Sequence, residues 1–229
     1  MSQSSVPRIL WVLLAYFEAF VGWLLQRFRT RDAGLFTRGP QFKNVPEVVK
    51  VTSPLGACDL AQIPEENSEW GSHAFPDLLW GGCPAATKEI LVVVQDPDAP
   101  PPFPICHSIL YGIPASTHSL SAADLPNSGV TKAAGWNGPK TPVLAGKNIY
   151  GTVYQGPRPP AQHGPHRYFY QVIALSASIR DSFSSPPSLS QVAEATQGKI
   201  VGWGEWVGVY ENTLKKALQR IDRADCKSE

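Results

Sequence analysis

The chain has 229 residues, a hydrophobic content of 43%, 22 prolines and 19 glycines. This length suits one large core and leaves little room for two compact domains, and the many prolines and glycines favour an all-β or α+β fold rich in turns. The formal net charge of +1 excludes a strongly basic nucleic-acid binder, because affinity for phosphate backbones depends on clustered lysines and arginines.

The first predicted element is an apolar helix over residues 9–28. Small and polar residues recur on one side of it, opposite a broad face of Leu, Trp, Phe and Val: Ala15, Glu18, Ala19, Gly22 and Gln26. This pattern suits a helix that lies in an interface or docks through its small residues. Three interpretations are open: membrane attachment, tertiary packing, or a signal peptide, which the position of the arginines after the apolar run disfavours.

Three strands are predicted downstream, over residues 89–95, 107–113 and 167–176. Each of them begins or ends at a titratable residue. We therefore expect the three strands to bring their polar ends to one rim of a sheet.

Two short helices are predicted late in the chain. Ser188 and Gln191 have capping-box spacing ahead of residues 192–197, with Gly198 as a stop, and residues 211–222 place leucine and isoleucine on one face. We expect both helices to flank a β core.

Four cysteines lie at positions 58, 83, 106 and 226, without the short paired spacings of a zinc site. Four cysteines in a chain of this length do not form a disulfide scaffold. We therefore expect reduced thiols, an intracellular, cytoplasmic location, and no metal or other cofactor.

The motif DPDAP follows the first strand directly. Its prolines, Pro97 and Pro100, fix the backbone, so Asp96 and Asp98 are held on a stiff turn. An isolated Asp-Pro pair is usually an ordinary polar turn. His107 downstream, together with a second proline-framed motif, favours a binding site here.

The second motif is YQGPRPPAQHGPHRY, at residues 154–168. His166 and Tyr168 lie on the same face of the strand that begins there, and such donors suit a phosphate or a carboxylate. Protonation of the imidazoles below about pH 6.5 is expected to strengthen binding. His163 is expected to be peripheral, and a metal site formed by His163 and His166 is a disfavoured alternative.

These motifs resemble those of the phosphatidylethanolamine-binding protein family, which includes Raf kinase inhibitor protein, plant flowering-time regulators and a yeast carboxypeptidase inhibitor. The resemblance rests on DPDAP, on the ILYGIPAS that follows His107 and Ser108, on GPRPPAQHGPHRY, and on a late EWVGVYE. The form of the third motif is closest to the bacterial and fungal branch. The resemblance covers residues 42–218.

The resemblance implies a mainly β (α+β) fold, a β-sandwich with small peripheral helices, to which this chain adds its hydrophobic N-terminal helix. It divides the chain into an extension (1–41), the family domain (42–218) and a C-terminal tail (219–229). It implies a ligand-binding pocket formed by Asp96, His107, His166 and Tyr168. The resemblance also implies that other residues of the motifs form the wall of this pocket and support it: Asp98, Pro100, Pro165 and Arg167.

Two positions depart from the family pattern. Ser108 stands where related bacterial proteins usually have tryptophan, and Arg158 stands where cysteine is common. Serine cannot supply the apolar wall of a tryptophan. We therefore expect a ligand bulkier or more polar than the usual one, and an added positive charge from Arg158.

The main functional prediction is a non-catalytic protein that binds phosphate or carboxylate groups, including a phospholipid headgroup, and modulates a protein partner. The alternative is an accessory protein or enzyme of a fungal secondary-metabolite pathway, assisting a cyclase that dimerises polyketide-derived maleic anhydrides. A further alternative is a protease inhibitor. The partner is accordingly a cyclase, a kinase or a protease, and residues 9–28 provide a membrane attachment if the first helix is interfacial.

Overall fold

A computed structural model of the chain describes residues 7–56, 60–125 and 143–225. The described helices are Arg8–Leu25 (α1), Leu189–Ala195 (α2) and Leu214–Asp225 (α3). The described strands are Lys50–Thr52 (β1), Ala61–Gln62 (β2), Leu78–Gly81 (β3), Glu89–Asp96 (β4), Ile105–Pro114 (β5), Ser119–Leu120 (β6), Leu144–Ala145 (β7), His166–Leu175 (β8) and Ile200–Tyr210 (β9).

Two sheets form a sandwich. The large sheet has the order β2-β9-β8-β4-β5-β7, in which only the β2–β9 pair is parallel, and the small sheet has the order β1-β3-β6. The predicted β-sandwich with peripheral helices is confirmed. The three strands predicted from the sequence are β4, β5 and β8, which are adjacent in the large sheet.

Strand β4 is buried along its whole length because both faces of the large sheet are covered. On one face Ile90, Val92 and Val94 belong to the core that includes Leu78 and Trp80 of the small sheet. On the other face, its alternate residues pack in a second core with two phenylalanines of the N-terminal segment and with a valine of α2: Leu91, Val93, Phe36, Phe42 and Val192. A continuous apolar run is the expected sequence of a strand covered on both sides.

The observed ends of the two late helices differ from the predicted ends by a few residues. The capping box is present, since the backbone N–H of Ser188 donates to Gln191 Oε1 over 2.9 Å, but α2 begins at Leu189 rather than at residue 192. Gly198 follows it with φ +68°. The last helix runs over Leu214–Asp225 instead of 211–222, because Thr213 caps it: the Thr213 hydroxyl accepts from the backbone N–H of Lys216 over 3.2 Å.

Packed residues lie on both sides of the predicted domain boundaries, and the division itself stays a prediction. Leu35 and Phe36, which fall in the predicted extension 1–41, are buried in the cores of the domain. Helix α3 crosses the boundary at residue 218. The N- and C-terminal ends of the predicted extension and tail, residues 1–6 and 226–229, lie outside the described residues.

Helix α1 docks on the domain through its stripe of small residues. Ala15, Ala19 and Gly22 are its buried residues, and a Cβ at Gly22 would lie 2.0 Å from the carbonyl oxygen of Ala161. Glu18 Oε1 accepts a hydrogen bond from the backbone N–H of Ala161 over 3.0 Å. The helix ends at Leu25, three residues before the predicted end, and its small-residue face is the packing surface that the sequence indicates.

Candidate anion-binding site

One rim of the large sheet carries the four residues predicted as the pocket. Asp96 ends β4, whereas His107 lies near the start of β5 and His166 begins β8. Because β4 is antiparallel to both neighbours, its end lies beside their beginnings. Asp96, His107, His166 and Tyr168 together line a cavity of about 170 Å³, which we call the anion cavity.

His107 and Tyr168 have unpartnered polar atoms in this cavity. His107 is 3% exposed and Tyr168 is 1% exposed, and within residues 7–56, 60–125 and 143–225 neither His107 Nε2 nor the Tyr168 hydroxyl has a hydrogen-bond partner. Buried polar atoms are almost always satisfied in folded proteins. Two such atoms lining one cavity therefore point to a ligand that would satisfy them.

The tautomer of His107 follows from its other nitrogen. His107 Nδ1 lies 2.8 Å from the carbonyl oxygen of Gln155, which can only accept, so Nδ1 carries the proton and Nε2 is bare in the neutral ring. Burial lowers the pKa of His107, because it disfavours the charged ring, and Asp96 only partly opposes this. Burial also raises the pKa of Tyr168 well above its usual value, so Tyr168 stays a donor.

His166 has both ring nitrogens engaged. Its Nδ1 lies 2.8 Å from Asp96 Oδ2, and its Nε2 lies 2.7 Å from His163 Nδ1. His163 Nε2 in turn lies 2.9 Å from the carbonyl oxygen of Leu25, at the end of α1. The ring of His166 thus lines the cavity but keeps its nitrogens in this hydrogen-bonded chain, which we call the histidine relay. Its predicted direct contact with a ligand stays a prediction.

The histidine relay fixes a proton count. The carbonyl of Leu25 only accepts, so His163 Nε2 carries a proton, and one more proton occupies each of the other two hydrogen bonds. Asp96, His163 and His166 therefore share three protons, which gives them a net charge of zero. The carboxylate of Asp96 then does not make the cavity anionic, and an anionic ligand is not repelled.

His163 is not among the residues that line the anion cavity, so its peripheral place with respect to a ligand stays a prediction. His163 is completely buried and supports His166 from the side away from Asp96. Gly164, with φ +93°, allows the turn that brings the two rings together. The HGPH pattern was visible in the sequence, but the partner of His163 Nε2 lies 138 residues away along the chain.

Asp98 and Arg167, which the resemblance implies as supports, pair with each other, and their role stays a prediction. Arg167 Nε donates to Asp98 Oδ2 over 2.8 Å, and its guanidinium also pairs with Asp32 at 2.7 Å. Burial alone would raise the pKa of Asp98, but the hydrogen bonds and charge of Arg167 outweigh burial and hold this pKa below its usual value. The pair anchors both motifs to the segment that follows α1.

The two predicted wall prolines differ in position. Pro100 lines the anion cavity. Pro165 instead directs its carbonyl oxygen to the guanidinium of Arg29, and Pro165 is not among the residues that line the cavity.

The two departures from the family pattern act differently from expectation. Ser108 Oγ donates to the carbonyl of Val153 over 2.6 Å and does not line the cavity, so serine leaves no opening there. Tyr150, whose ring centroid lies 5.9 Å from that of His107, forms part of the wall instead. Arg158 lines the cavity but pairs with Glu69 at 2.5 Å, so its positive charge is balanced.

The described part of the chain contains no group of three or more His, Cys, Asp and Glu side chains arranged to hold a metal ion. Cys83 and Cys106 are free thiols, and burial raises the pKa of Cys106 to about 12, which keeps it protonated and unreactive. Cys58 and Cys226 lie outside the described residues.

Comparison with known proteins agrees with this geometry. The family model described as phosphatidylethanolamine-binding protein matches residues 57–211. The chain belongs to the phosphatidylethanolamine-binding protein family.

Proteins similar to this chain include two from fungi. "Phomoidride biosynthesis cluster protein B" of Talaromyces stipitatus is 36% identical over 213 residues, which cover 91% of this chain and 86% of that protein. A protein of the same name from another fungus is 34% identical over 203 residues, covering 88% of this chain and 97% of that protein. A crystal structure of a family homologue from Chlamydia trachomatis has a TM-score of 0.59 at 25% identity and covers 72% of this chain and 99% of that one.

The buried histidines predict acid sensitivity. Burial is the main cause that lowers the pKa of His107 and of His163, so the unfolded chain binds more protons than the folded chain once the pH falls below about 6.5. We expect the free energy of unfolding, measured with urea, to fall between pH 7 and pH 5 by up to about 1.4 kcal/mol per pH unit for each ring. His107→Gln should reduce this loss, whereas His118→Gln, at an exposed position, should not. A stability that is constant or rises over this range would contradict the buried neutral rings.

Proposed function

We propose that this chain binds a small carboxylate or phosphate in the anion cavity and serves as an accessory protein in fungal secondary-metabolite biosynthesis. The observation that carries the binding is the pair of unpartnered atoms, His107 Nε2 and the Tyr168 hydroxyl. The names of the fungal relatives support the biosynthetic setting.

The cavity offers an anion two hydrogen bonds. Tyr168 donates to one oxygen directly, and His107 donates to a second oxygen once Nε2 takes up a proton. A bound negative charge favours that protonation, so anion binding and proton uptake by His107 are coupled. Hydrogen bonds to a charged group are stronger than neutral ones, and the burial of His107 and Tyr168 strengthens them further.

The size of the cavity limits what it can hold. About 170 Å³ is smaller than the roughly 300–1,000 Å³ of most ligand pockets, so it accommodates a carboxylate, a phosphate or a headgroup rather than a whole lipid. The sequence has no Gly-x-Ser-x-Gly nucleophile motif. These features favour binding and presentation of an acidic intermediate to a partner enzyme, for which a cyclase is the expected class.

The other predicted roles, a modulator of a kinase and a protease inhibitor, differ from the accessory protein in the protein partner. The names of the relatives favour the biosynthetic partner over a kinase or a protease.

Removing the Tyr168 hydroxyl should weaken anion binding. Tyr168→Phe deletes one hydrogen bond to a charged group, worth about 1.5–3 kcal/mol, so we expect the dissociation constant for phosphate or butyrate to rise about 10- to 100-fold in calorimetry. Tyr111→Phe is the matched control, because Tyr111 packs on the opposite face of the sheet against Phe183. Unchanged affinity in Tyr168→Phe would remove the hydroxyl from the site.

The same variants test the biosynthetic role in a producing fungus. Deletion of the gene should lower the pathway product, Tyr111→Phe should restore it, and Tyr168→Phe should not. Full restoration by a Tyr168→Phe variant that no longer binds anions would show that the pathway does not use the cavity.

A second candidate role, attachment to a membrane surface, is favoured by the outer face of α1. The helix is long and apolar enough to cross a membrane, but only 17% of it is buried, and Phe17 and Trp23 are 65% and 61% exposed. Contiguous exposed aromatic and aliphatic side chains mark interaction surfaces, and the basic residues after the helix suit anionic headgroups. We propose that α1 lies in the membrane interface while its small-residue face stays on the domain; the intracellular location stays a prediction.

Vesicle binding tests this attachment. Phe17→Glu with Phe20→Glu places charges on the exposed face and should reduce co-sedimentation with vesicles that contain anionic phospholipid about tenfold or more. Leu79→Glu changes an exposed leucine on the small sheet and should leave co-sedimentation unchanged. Equal binding of all three proteins would refute attachment through α1.

A further inference from the structure

A second cavity lies beside the anion cavity, between the first and last helices. It has a volume of about 460 Å³, and its walls include Trp11 and Leu14 of α1, Ala217 and Ile221 of α3, and the ring of Trp70. We call it the helix groove. This volume falls within the roughly 300–1,000 Å³ of pockets that bury one small-molecule ligand.

The helix groove and the anion cavity share a wall. Arg158 lines both of them, and Pro159 and Pro160 line the anion cavity. The backbone N–H of the next residue, Ala161, donates a hydrogen bond to the carboxylate of Glu18, which lines the groove. Residues 158–161 are therefore the stretch of chain along which the two spaces meet.

The shared wall carries a side chain that can move. The Arg158 side chain is 60% exposed and its partner Glu69 is 24% exposed, so the ion pair lies at the surface, where such pairs contribute little. Arginine also lays its aliphatic stem along apolar groups while its guanidinium stays in water. A ligand that passes from one space to the other therefore displaces the Arg158 side chain at a small cost in free energy.

The two spaces have complementary chemistry. The anion cavity presents a hydroxyl donor and an imidazole, whereas the groove presents tryptophan, leucine, alanine and isoleucine side chains. Glu18, Arg158 and Arg220 also line the groove. Arg158 pairs with Glu69 and Arg220 pairs with Glu65, so each of these cations already has a carboxylate partner and competes less for the anionic head. A ligand that uses both spaces has its anionic end in the anion cavity and an apolar end in the groove.

We propose that the ligand of this chain is a single-chain amphiphile, with a carboxylate or phosphate head in the anion cavity and a hydrocarbon tail in the helix groove. The inference rests on the proposed anion binding and adds the subsite for the tail. Both helices that form the groove lie outside residues 57–211, which the family model matches, so the tail subsite is built by the extensions of this chain.

Affinity as a function of tail length tests the inference. The probes are n-alkyl carboxylates from butyrate to decanoate and the corresponding alkyl phosphates, used below their micelle concentrations, with acetate and inorganic phosphate as tail-free probes. A half-buried tail should increase affinity about twofold for each methylene, which is roughly half the effect of complete burial. The two series show which head the anion cavity prefers.

Substitutions in α3 test whether the tail binds in the helix groove. Ala217→Phe fills the groove and should abolish the dependence of affinity on tail length. Ala224→Phe fills the groove from an exposed position, so it repeats the test without a new side chain between the packed helices. Gln219→Phe, at an exposed position of the same helix, should retain the dependence. Circular dichroism confirms that each variant is folded.

Each outcome is distinguishable. Affinity that is equal for acetate and decanoate, or a tail effect that persists in both groove variants, overturns the tail subsite and leaves the anion cavity intact. Failure of acetate, phosphate and every longer probe to bind would refute the proposed anion binding, and the tail subsite with it.

Discussion

Three hydrogen bonds in series connect the end of α1 to the end of β4. They run from the carbonyl of Leu25 to His163, from His163 to His166, and from His166 to the carboxylate of Asp96. Every ring nitrogen in this relay has a partner, so neither ring can turn without leaving a buried polar atom unsatisfied. The relay holds the back of the anion cavity rigid and electrically neutral, which leaves His107 and Tyr168 as the groups that face a ligand.

The same relay makes the N-terminal helix part of the site. Leu25 supplies a hydrogen-bond acceptor, and further contacts follow directly: the backbone N–H of Thr30 donates to Asp98 over 3.0 Å, and Asp32 pairs with Arg167. Removal of residues 8–32 would leave His163 Nε2 without its acceptor and Arg167 without the carboxylate of Asp32. We therefore regard residues 8–32 as a structural component of the cavity, although they lie outside the segment that the family model matches.

Much of the fold and of the cavity was predictable from local sequence. The strands β4, β5 and β8 follow from apolar runs that end in turn residues, whereas the set of four cavity residues came from the resemblance to the family, with His107 outside both motifs. Strand pairing then determines that those motifs meet, since antiparallel neighbours place the end of one strand beside the start of the next. Helix termini were less accurate because caps, rather than periodicity, determine where a helix begins.

The rest depended on contacts between distant parts of the chain. The role of His163 requires the carbonyl of Leu25, and the wall at Tyr150 comes from a loop that the sequence does not connect with β5. Ser108 shows the same limit, because the missing tryptophan indicates an opening until the hydrogen bond to Val153 is seen. No periodicity or motif encodes such partners, because a hydrogen bond across more than a hundred residues depends on the completed fold.

The protonation state of His107 tests the account most directly. Nitrogen-15 NMR of labelled histidine distinguishes the neutral ring with a bare Nε2 from the imidazolium, in the free protein and with butyrate, at pH 7. We predict a neutral His107 with its proton on Nδ1 in the free protein and an imidazolium in the butyrate complex, whereas the signals of His163 and His166 change little. A His107 signal that is already charged without butyrate, or that stays neutral in the complex, would contradict the assignment of this ring as the group that receives the anion.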